Sequence, residues 1–469
     1  MKKGDRKAPS GAWTPDPRGS QWTFGWTSSC PRLSVAQARA FTRRRARLLA
    51  RCRRLGARRL AGGWSKLFSG ELSPGCAVCA AGGWSYLESN QLCGRGCFYC
   101  PRPQDRLSEP YDKILGLSFR SPSAYAAALQ AAGHGGVGLS GGEPLLAMGR
   151  TLALVRALRA ALGPRARLWV YTSGAGADER RLRTLRAAGV DELRVNVSAD
   201  GYRLDAVRRA ARVFPVVAVE IPAVPEDERR VRALLPRIVR AGARHLVLHQ
   251  LTCTPHNDAE LRARGYRVTD NGPFVSPSVV ESELAALGIL REALARRLPL
   301  SVNYCSFIFK NRYHALARRL RLARLLRRGK DPFRAPSPAG WLRRLEVAGT
   351  PSGLSALLRR LPSGSARRER TRLLLRPEAL AHPALGTKPV VVRYSEYSFE
   401  GLDRKGGRLR VALGAGRRAR FLEREERSFV LQGVRERAAF SALLRRGAGS
   451  PLRARFEGYE ALPSALHAL

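Results

Sequence analysis

Residues 84–100 read WSYLESNQLCGRGCFYC and join a short strand-like run to a loop that holds three cysteines. The run Trp84–Asn90 predicts a β-strand, the first of six in this part of the chain. The loop that follows it places Cys93, Cys97 and Cys100 at the spacing C-x3-C-x2-C. Three thiolates at this spacing on one loop indicate a metal site at the end of that strand.

After Cys100 the chain repeats one pattern, in which a short apolar run is followed by an amphipathic helical stretch such as Leu152–Leu162 or Glu179–Ala188. This alternation is typical of parallel βα units. It predicts an α/β fold, a partial (β/α)6 TIM-like barrel, and periodicity leaves a doubly wound open sheet as the alternative. The predicted strands are Trp84–Asn90, Val137–Leu139, Arg167–Thr172, Glu192–Val197, Val216–Ile221 and His245–Leu251.

The whole sequence is predicted to form four parts. Residues 1–73 are a basic N-terminal segment, partly disordered and partly helical, and residues 74–300 are the barrel. Residues 301–365 form a basic helical extension and linker, and residues 366–469 form a small C-terminal unit that contains β-strands. Helices are expected at Ser34–Leu60, Glu281–Leu298 and Arg312–Arg328, and strands at Val302–Cys305, Val390–Tyr397, Arg408–Leu413 and Phe429–Gln432.

The composition is strongly basic, with 84 Lys and Arg against 37 Asp and Glu, a formal net charge of +47. Such a charge favours an anionic partner, RNA or DNA. Only nine of the 84 are lysines, however, and the arginines are spread along the whole chain, which equally suits a compositional bias. The sequence lacks both an apolar run long enough to span a membrane and the apolar stretch of a signal peptide, so a cytoplasmic location is expected.

Three cysteines on one loop can bind three irons of a cubane cluster, which leaves the fourth iron without a protein ligand. S-adenosylmethionine (SAM) can occupy that iron through its amino and carboxylate groups. One electron then cleaves a C–S bond of SAM and yields a 5′-deoxyadenosyl radical, chemistry that the cofactors carry. Tyr99, just before the last cysteine, is expected to pack against the adenine side of this site.

A zinc site is the competing interpretation of the same cysteines. Cys76-x2-Cys79 and Cys97-x2-Cys100 are separated by 17 residues, a spacing that zinc ribbons also use. On this interpretation the protein is a basic, zinc-bound nucleic-acid-binding protein without radical chemistry. It accounts for four cysteines and the charge, but it leaves Cys93 unexplained.

A second motif, Leu139-Ser140-Gly141-Gly142-Glu143-Pro144, closes the second predicted strand. Gly141 and Gly142 permit the backbone to approach a ligand without Cβ interference. Glu143 offers an acceptor for a ligand ammonium, and Pro144 stops the strand from continuing. We therefore expect residues 141–144 to bind SAM.

The cysteine loop after the first strand and the Gly-Gly-Glu-Pro turn after the second resemble the radical SAM superfamily. Residues 74–330 are similar, in more detail, to a branch related to pyruvate formate-lyase activating enzymes. The resemblance implies a [4Fe-4S] cluster, SAM, an electron donor such as a flavodoxin or ferredoxin, and hydrogen abstraction from a substrate. For that substrate the resemblance favours a protein, whereas the positive charge of the chain favours RNA. The resemblance also implies that the ends of the next three strands hold cofactor-binding residues: Ser173, Asn196, Ser198 and Glu220.

The remaining cysteines leave room for a second metal. Cys76 and Cys79, with Cys305 or Cys253 as a third ligand, form a candidate site for an auxiliary iron–sulfur cluster or a zinc ion. Cys30 and Cys52 are expected to be inert.

Overall fold

The computed structural model of the chain describes residues 27–60, 66–104, 111–112, 117–118, 121–269, 277–310, 314–325, 331–403, 409–412, 418–446, 450–456 and 458–460. Its strands are β1 (Arg58–Arg59), β2 (Lys66–Phe68), β3 (Trp84–Asn90), β4 (Tyr111–Asp112), β5 (Leu117–Ser118), β6 (Gly136–Gly141), β7 (Arg167–Thr172), β8 (Glu192–Val195), β9 (Val216–Pro222), β10 (His245–His249), β11 (Val268–Thr269), β12 (Ser278–Val279), β13 (Ser301–Cys305), β14 (Ala335–Pro336), β15 (Leu342–Ala348), β16 (Ala366–Glu369), β17 (Arg372–Leu375), β18 (Val390–Asp403), β19 (Leu409–Ala412) and β20 (Arg418–Leu431).

The helices lie mostly between these strands. They are α1 (Val35–Arg54), α2 (Pro74–Ala80), α3 (Pro122–Ala131), α4 (Met148–Leu162), α5 (Glu179–Ala188), α6 (Asp205–Ala211), α7 (Glu228–Arg240), α8 (Asp258–Ala263), α9 (Val280–Ala295), α10 (Phe307–Phe309), α11 (Ala315–Leu325), α12 (Pro351–Arg360) and α13 (Gly433–Arg446). Among the described residues, none of them is both long and apolar enough to cross a bilayer.

Helix α5 illustrates how local sequence sets these boundaries. The Asp178 carboxylate accepts a hydrogen bond of 2.8 Å from the backbone N–H of Arg181 and caps the first turn. Gly189 ends the helix with a φ of 111°, a left-handed conformation that glycine adopts without a Cβ penalty. The observed span, Glu179–Ala188, is the one that the sequence predicts.

The large sheet is mixed, and its central strands are parallel. Its order is β1-β2-β13-β10-β9-β8-β7-β6-β3-β4-β5, and the pairs from β3 through β6, β7, β8, β9 and β10 to β13 are all parallel. The order of these seven strands never reverses. Because parallel crossovers are right-handed, a progression in one direction places the helices that connect these strands on one face. A doubly wound sheet requires a reversal. The predicted α/β partial barrel is therefore confirmed, as an open sheet that no described strand closes.

The two faces of the parallel strands differ in chemistry. Leu168 and Val170 of β7 face the main apolar core beneath the helices. Trp169 and Tyr171 alternate with them and lie on the opposite, concave side, where the Arg194 guanidinium is 5.0 Å from the Trp169 ring centroid and 5.4 Å from that of Tyr171. The concave side is thus lined by aromatic and charged side chains, and Trp169 and Arg194 there are buried.

The N-terminal helix α1 packs against α9 on the outside of the barrel. Its Arg45 donates a 2.8 Å hydrogen bond to Glu283 within a buried ion pair. The thiol of Cys52, fully buried, lies 3.7 Å from the backbone oxygen of Leu287. These contacts connect the basic segment to the barrel.

The C-terminal unit has its own sheet, of order β16-β17-β15-β18-β20-β19 with β14 paired to β15, and its own apolar core. It begins before the predicted boundary at residue 366, since β15 and α12 lie in the stretch that we expected to be a linker. The reason is packing, because Leu345 and Val347 of β15 are buried together with Leu354 and Leu357 of α12. In the same way β13 belongs to the barrel sheet, although the sequence placed residues 301–305 in an extension.

Candidate active site

The cysteine loop follows β3 and is closed by Gln104. The backbone N–H of Cys93 donates to the backbone oxygen of Gln104 (3.1 Å), and the side-chain oxygen of Gln104 accepts from Gly96 N–H (3.2 Å). A turn brings Cys100 N–H to Cys97 O at 3.0 Å. All three thiols are half-buried, so they are accessible from the loop and shielded by it.

These thiols have the chemistry expected of cluster ligands. Burial raises the pKa of the Cys93 thiol, and the negative charges of Glu143, Cys97 and Cys100 raise it further. Mutual repulsion of this kind is relieved by a cation, since thiols lose their protons when they bind a metal. Three half-buried thiols on one loop at a sheet edge therefore fit a [4Fe-4S] cluster with one iron left for another ligand.

The Gly-Gly-Glu-Pro turn lies directly against the start of the cysteine loop. Gly142 N–H donates to Asn90 O and Glu143 N–H donates to Leu92 O, each at 2.7 Å. Gly141 has a φ of 114°, and a Cβ there would lie 2.2 Å from Asn90 O. A Cβ on Gly142 would lie 2.2 Å from Leu92 O. The two glycines are thus needed for close contact with the chain that leads into the loop.

We predict that Gly142→Ala destabilises this junction. The new methyl group meets backbone rather than a flexible side chain, so we expect a loss of about 1–3 kcal/mol in the free energy of unfolding, as for overpacking. The iron content after reconstitution should fall as well. Urea denaturation and iron analysis measure both quantities.

Gly149→Ala on α4 is the matched control, because a Cβ at Gly149 meets nothing within 4 Å. Since alanine is the better helix former, that variant should gain about 0.5–1 kcal/mol. Equal stability of the Gly142→Ala variant and the natural protein would contradict the packing described here.

Glu143 is fully buried, and its carboxylate accepts hydrogen bonds from other residues of the protein. One oxygen accepts from Leu145 N–H (3.1 Å) and Thr172 Oγ1 (2.9 Å), and the other accepts from both N–H and Oγ of Ser173 at 2.6 Å. A carboxylate has about four lone-pair positions, and four donors are present here. Glu143 therefore ties the turn to the end of β7, and its expected role towards a ligand ammonium stays a prediction.

Tyr99 of the cysteine loop forms one hydrogen-bonded group with Asn196 and Ser198. Tyr99 Oη lies 2.7 Å from Ser198 Oγ, and Ser198 Oγ donates to Asn196 Oδ1 at 2.6 Å. Burial raises the pKa of the Tyr99 phenol, and the neighbouring Cys97 adds to the effect. The structure therefore brings together three of the residues that the sequence singled out.

Two further residues that were not predicted from the sequence, Arg95 and Asp200, lie next to this group. Arg95 lies between the first two cysteines, and its guanidinium is 2.8 Å from Asp200 Oδ1 and 3.5 Å from Ser173 Oγ. A charged residue inside the cysteine loop was the available signal. Its partner could not be predicted, because Asp200 is 105 residues away in the chain.

Glu220 lies elsewhere, on the concave side of the barrel. It forms an ion pair of 2.8 Å with Arg194, and its second oxygen contacts His249 Nε2. Lys310 Nζ is 2.7 Å from the other nitrogen of His249. Glu220 therefore contacts Arg194 and His249. It does not belong to the Tyr99–Asn196–Ser198 group, although the sequence predicted that it binds the same cofactor as those residues.

Cys76 and Cys79 lie on α2, near Cys305. Cys79 Sγ is 2.9 Å from His314 Nε2, Asn303 Nδ2 donates to Cys76 Sγ at 3.3 Å, and Cys76 and Cys305 share a small buried cluster. The fully buried Lys66 is surrounded by these thiols, whose charge raises the pKa of its ammonium against the opposing effect of burial. In the described part of the chain, Cys76 and Cys79 do not meet Cys97 and Cys100 in one ligand group, which removes support from the zinc ribbon.

The chain is similar to known proteins in the region that forms this site. Residues 87–213 match the radical SAM superfamily, a segment that contains the cysteine loop, the Gly-Gly-Glu-Pro turn and Asn196 with Ser198. The chain is also similar to a protein of Methanocaldococcus jannaschii with the provisional name glycyl-radical enzyme activating enzyme. The two are 27% identical over 287 residues, which span 58% of this chain and 73% of the relative.

Proposed function

We propose that this chain, which is a radical SAM enzyme related to a glycyl-radical enzyme activating enzyme, cleaves SAM reductively at a [4Fe-4S] cluster held by Cys93, Cys97 and Cys100. The observation that carries the proposal is the position of three half-buried thiols on the loop after the first parallel strand, because the chain that leads into this loop is hydrogen-bonded to the turn after the second. Cys93, Cys97 and Cys100 would hold the cluster, which would supply the electron for reductive cleavage of SAM and thus the radical chemistry that removes a hydrogen atom from the substrate.

The protein's own groups would hold and orient SAM. The backbone of residues 141–144 and the Tyr99–Asn196–Ser198 group flank the cysteine loop, which supports roles in binding the polar parts of SAM. Glu143 is a positioning residue, because it fixes Ser173 and the end of β7 relative to the turn. Because these polar groups are already oriented, little entropy would be lost in ordering the site when SAM binds.

A protein is the substrate class that the relative's name favours, since activating enzymes act on a partner protein. The electron donor would be a small reduced protein such as a flavodoxin or ferredoxin. A cytoplasmic location belongs to the same proposal, because cluster thiols require a reducing compartment.

RNA is the second candidate, and one surface feature favours it. A cleft of about 470 Å³ between α1, α7 and α9 is lined by Arg44, Arg47 and Arg51 together with Arg232 and Arg291. The first three lie on one face of α1 because they are spaced three and four residues apart. Glu228 also lines the cleft, and Arg232 is paired with Glu228 and Glu292. The three arginines of α1 are therefore the groups that suit a phosphate backbone.

The candidate second metal at Cys76, Cys79 and Cys305 remains a proposal. Cys79 contacts His314, but in the described part of the chain no three of these four residues form one close ligand group. Lys66 beside them would balance the negative charge of a metal bound to three thiolates.

The test is anaerobic reconstitution with iron and sulfide, followed by EPR spectroscopy of the reduced protein with and without SAM. We expect a [4Fe-4S]⁺ signal that changes on addition of SAM, and 5′-deoxyadenosine as a product. Tightly bound zinc without a SAM-sensitive signal or 5′-deoxyadenosine would overturn the proposal.

The substrate classes are distinguished by RNA binding at increasing salt. An RNA site requires affinity that falls steeply with salt and weakens in Arg47→Glu. Absence of RNA binding at low salt would leave the protein substrate.

A further inference from the structure

Cys30, Cys253 and Asp258 converge on one point, although the chain separates the first from the other two by more than 220 residues. The two sulfur atoms are 3.9 Å apart, and Cys253 Sγ is 2.9 Å from Asp258 Oδ1. The three ligand atoms lie within 4.8 Å of one another. Cys30 precedes α1, whereas Cys253 and Asp258 belong to the loop after β10 and the first turn of α8.

The surroundings hold these groups in place. Cys30 and Cys253 are 4% and 0% exposed. Asp258 accepts from Ser28 Oγ at 2.5 Å and from the backbone N–H of Ser29 at 2.9 Å. A backbone N–H and two serine hydroxyls thus orient the carboxylate, in the way that partner groups orient metal ligands.

The spacing of the sulfur atoms fits a tetrahedral metal ion. With Zn–S bonds of about 2.3 Å and tetrahedral angles, two thiolate sulfurs lie about 3.8 Å apart. The observed 3.9 Å agrees with that value. A disulfide would require about 2.05 Å, so the pair would have to move closer to form one.

We propose that Cys30, Cys253 and Asp258 bind a zinc ion. Two thiolates select a borderline or soft metal over Mg²⁺ and Ca²⁺, which prefer oxygen ligands. The carboxylate supplies the third ligand. For this, the distance between Asp258 Oδ1 and Cys253 Sγ must increase by less than about 1 Å, which a small rotation of the side chain can provide. Water would take the fourth position, beside Ser28 Oγ, which is 3.2 Å from Cys253 Sγ.

Such an ion would stiffen the support of the cysteine loop. Asn257 Nδ2 donates to Tyr99 O, and Thr254 Oγ1 donates to Pro101 O, each at 3.1 Å. Tyr99 also packs against the apolar cluster that contains Cys30 and Cys253. Residues 28–30 and the loop after β10 would therefore be tied together directly behind the last cysteine of the cluster loop.

The experiment measures zinc and iron separately in the full chain, expressed with zinc in the medium and purified anaerobically. We expect at least one zinc per chain in addition to the iron. Cys30→Ser and Cys253→Ser should each lose one zinc, and Cys52→Ser, the matched control, should retain it. Zinc that is lost only in Cys79→Ser, no zinc in the natural chain, or a Cys30–Cys253 disulfide would overturn the proposal.

Asp258→Asn keeps the size and shape of the side chain, so it tests the site without a large change in packing. Its affinity for zinc, measured by competition with a chelator, should fall by at least about 10–100-fold. Unchanged affinity would exclude Asp258 as a ligand.

The zinc should also remain in Cys93→Ala, which separates this inference from the proposed radical chemistry. Zinc that disappears together with the iron in Cys93→Ala would mean that the ion sits in the cluster loop, which would overturn the inference.

Discussion

Cys93→Ala is expected to abolish binding of the iron–sulfur cluster and formation of 5′-deoxyadenosine. The backbone of Cys93 is held by Gln104, so the loop can keep its path while one of its three ligands is lost. We expect a cluster with only two protein ligands to be lost on purification. The yield of 5′-deoxyadenosine should fall by more than about 100-fold, beyond the range seen when a partner of a metal ligand is removed.

The measurements are iron content, EPR spectra with and without SAM, and 5′-deoxyadenosine by chromatography. Cys52→Ala is the control, because it removes a buried thiol that lies against α9, outside the cysteine loop. That variant should keep its iron and its activity. A SAM-sensitive cluster that survives in Cys93→Ala would shift the assignment to Cys76, Cys79 and Cys305.

Arg194→Met is expected to cost about 3–5 kcal/mol of the free energy of unfolding, the cost of removing one partner from a buried ion pair. Arg194 is buried between Glu192 and Glu220, with a hydrogen bond or ion pair of 2.8 Å to each. Methionine fills similar space but leaves two carboxylates on the concave side without their cation. Urea denaturation of the apoprotein measures the change.

The control for this prediction is Arg208→Met. Arg208 forms an ion pair of 2.7 Å with Asp205, but both side chains are at least half exposed. Because water screens such a pair, the same substitution there should cost no more than about 1 kcal/mol. The double variant Arg194→Met/Glu192→Gln should recover part of the loss, since it removes one of the unpaired charges. Equal losses at positions 194 and 208 would contradict the account.

The same network predicts a dependence on pH. Burial alone would raise the pKa of Glu220, but Arg194 and His249 outweigh it and lower that pKa to about 2. A carboxyl group whose pKa is lower in the folded state stabilises the fold above its ordinary pKa. It loses that contribution as the pH falls from about 4.5 towards 2. In Arg194→Met the free energy of unfolding should decrease less between pH 4.5 and pH 2, because the ion pair that lowers the pKa of Glu220 is gone.

Local patterns in the sequence were sufficient for the parallel strands and for the cysteine loop. Trp84–Asn90 and Arg167–Thr172 match the observed strands residue for residue. An apolar run followed by an amphipathic helix is a property of neighbouring residues, so it can be recognised without a structure. The strand β2 was missed because three residues are too short for any pattern.

The order of the strands, in contrast, was a matter of tertiary structure. The alternation of apolar strands and amphipathic helices along the sequence is the same in a barrel and in a doubly wound sheet. Only the pairing of β3 with β6 and of β10 with β13, without a reversal between them, distinguished the two.

By itself, the sequence determined the spacing of Cys93, Cys97 and Cys100 and the glycines of the turn, because both depend on residues a few positions apart. Tertiary structure alone decided that the Glu143 carboxylate serves Ser173, that Glu220 pairs with Arg194, and that Cys30 meets Cys253. The physical reason is that a buried charge or thiol takes its partners from whichever elements pack against it. Those elements come from distant parts of the chain, and packing of the apolar core brings them together.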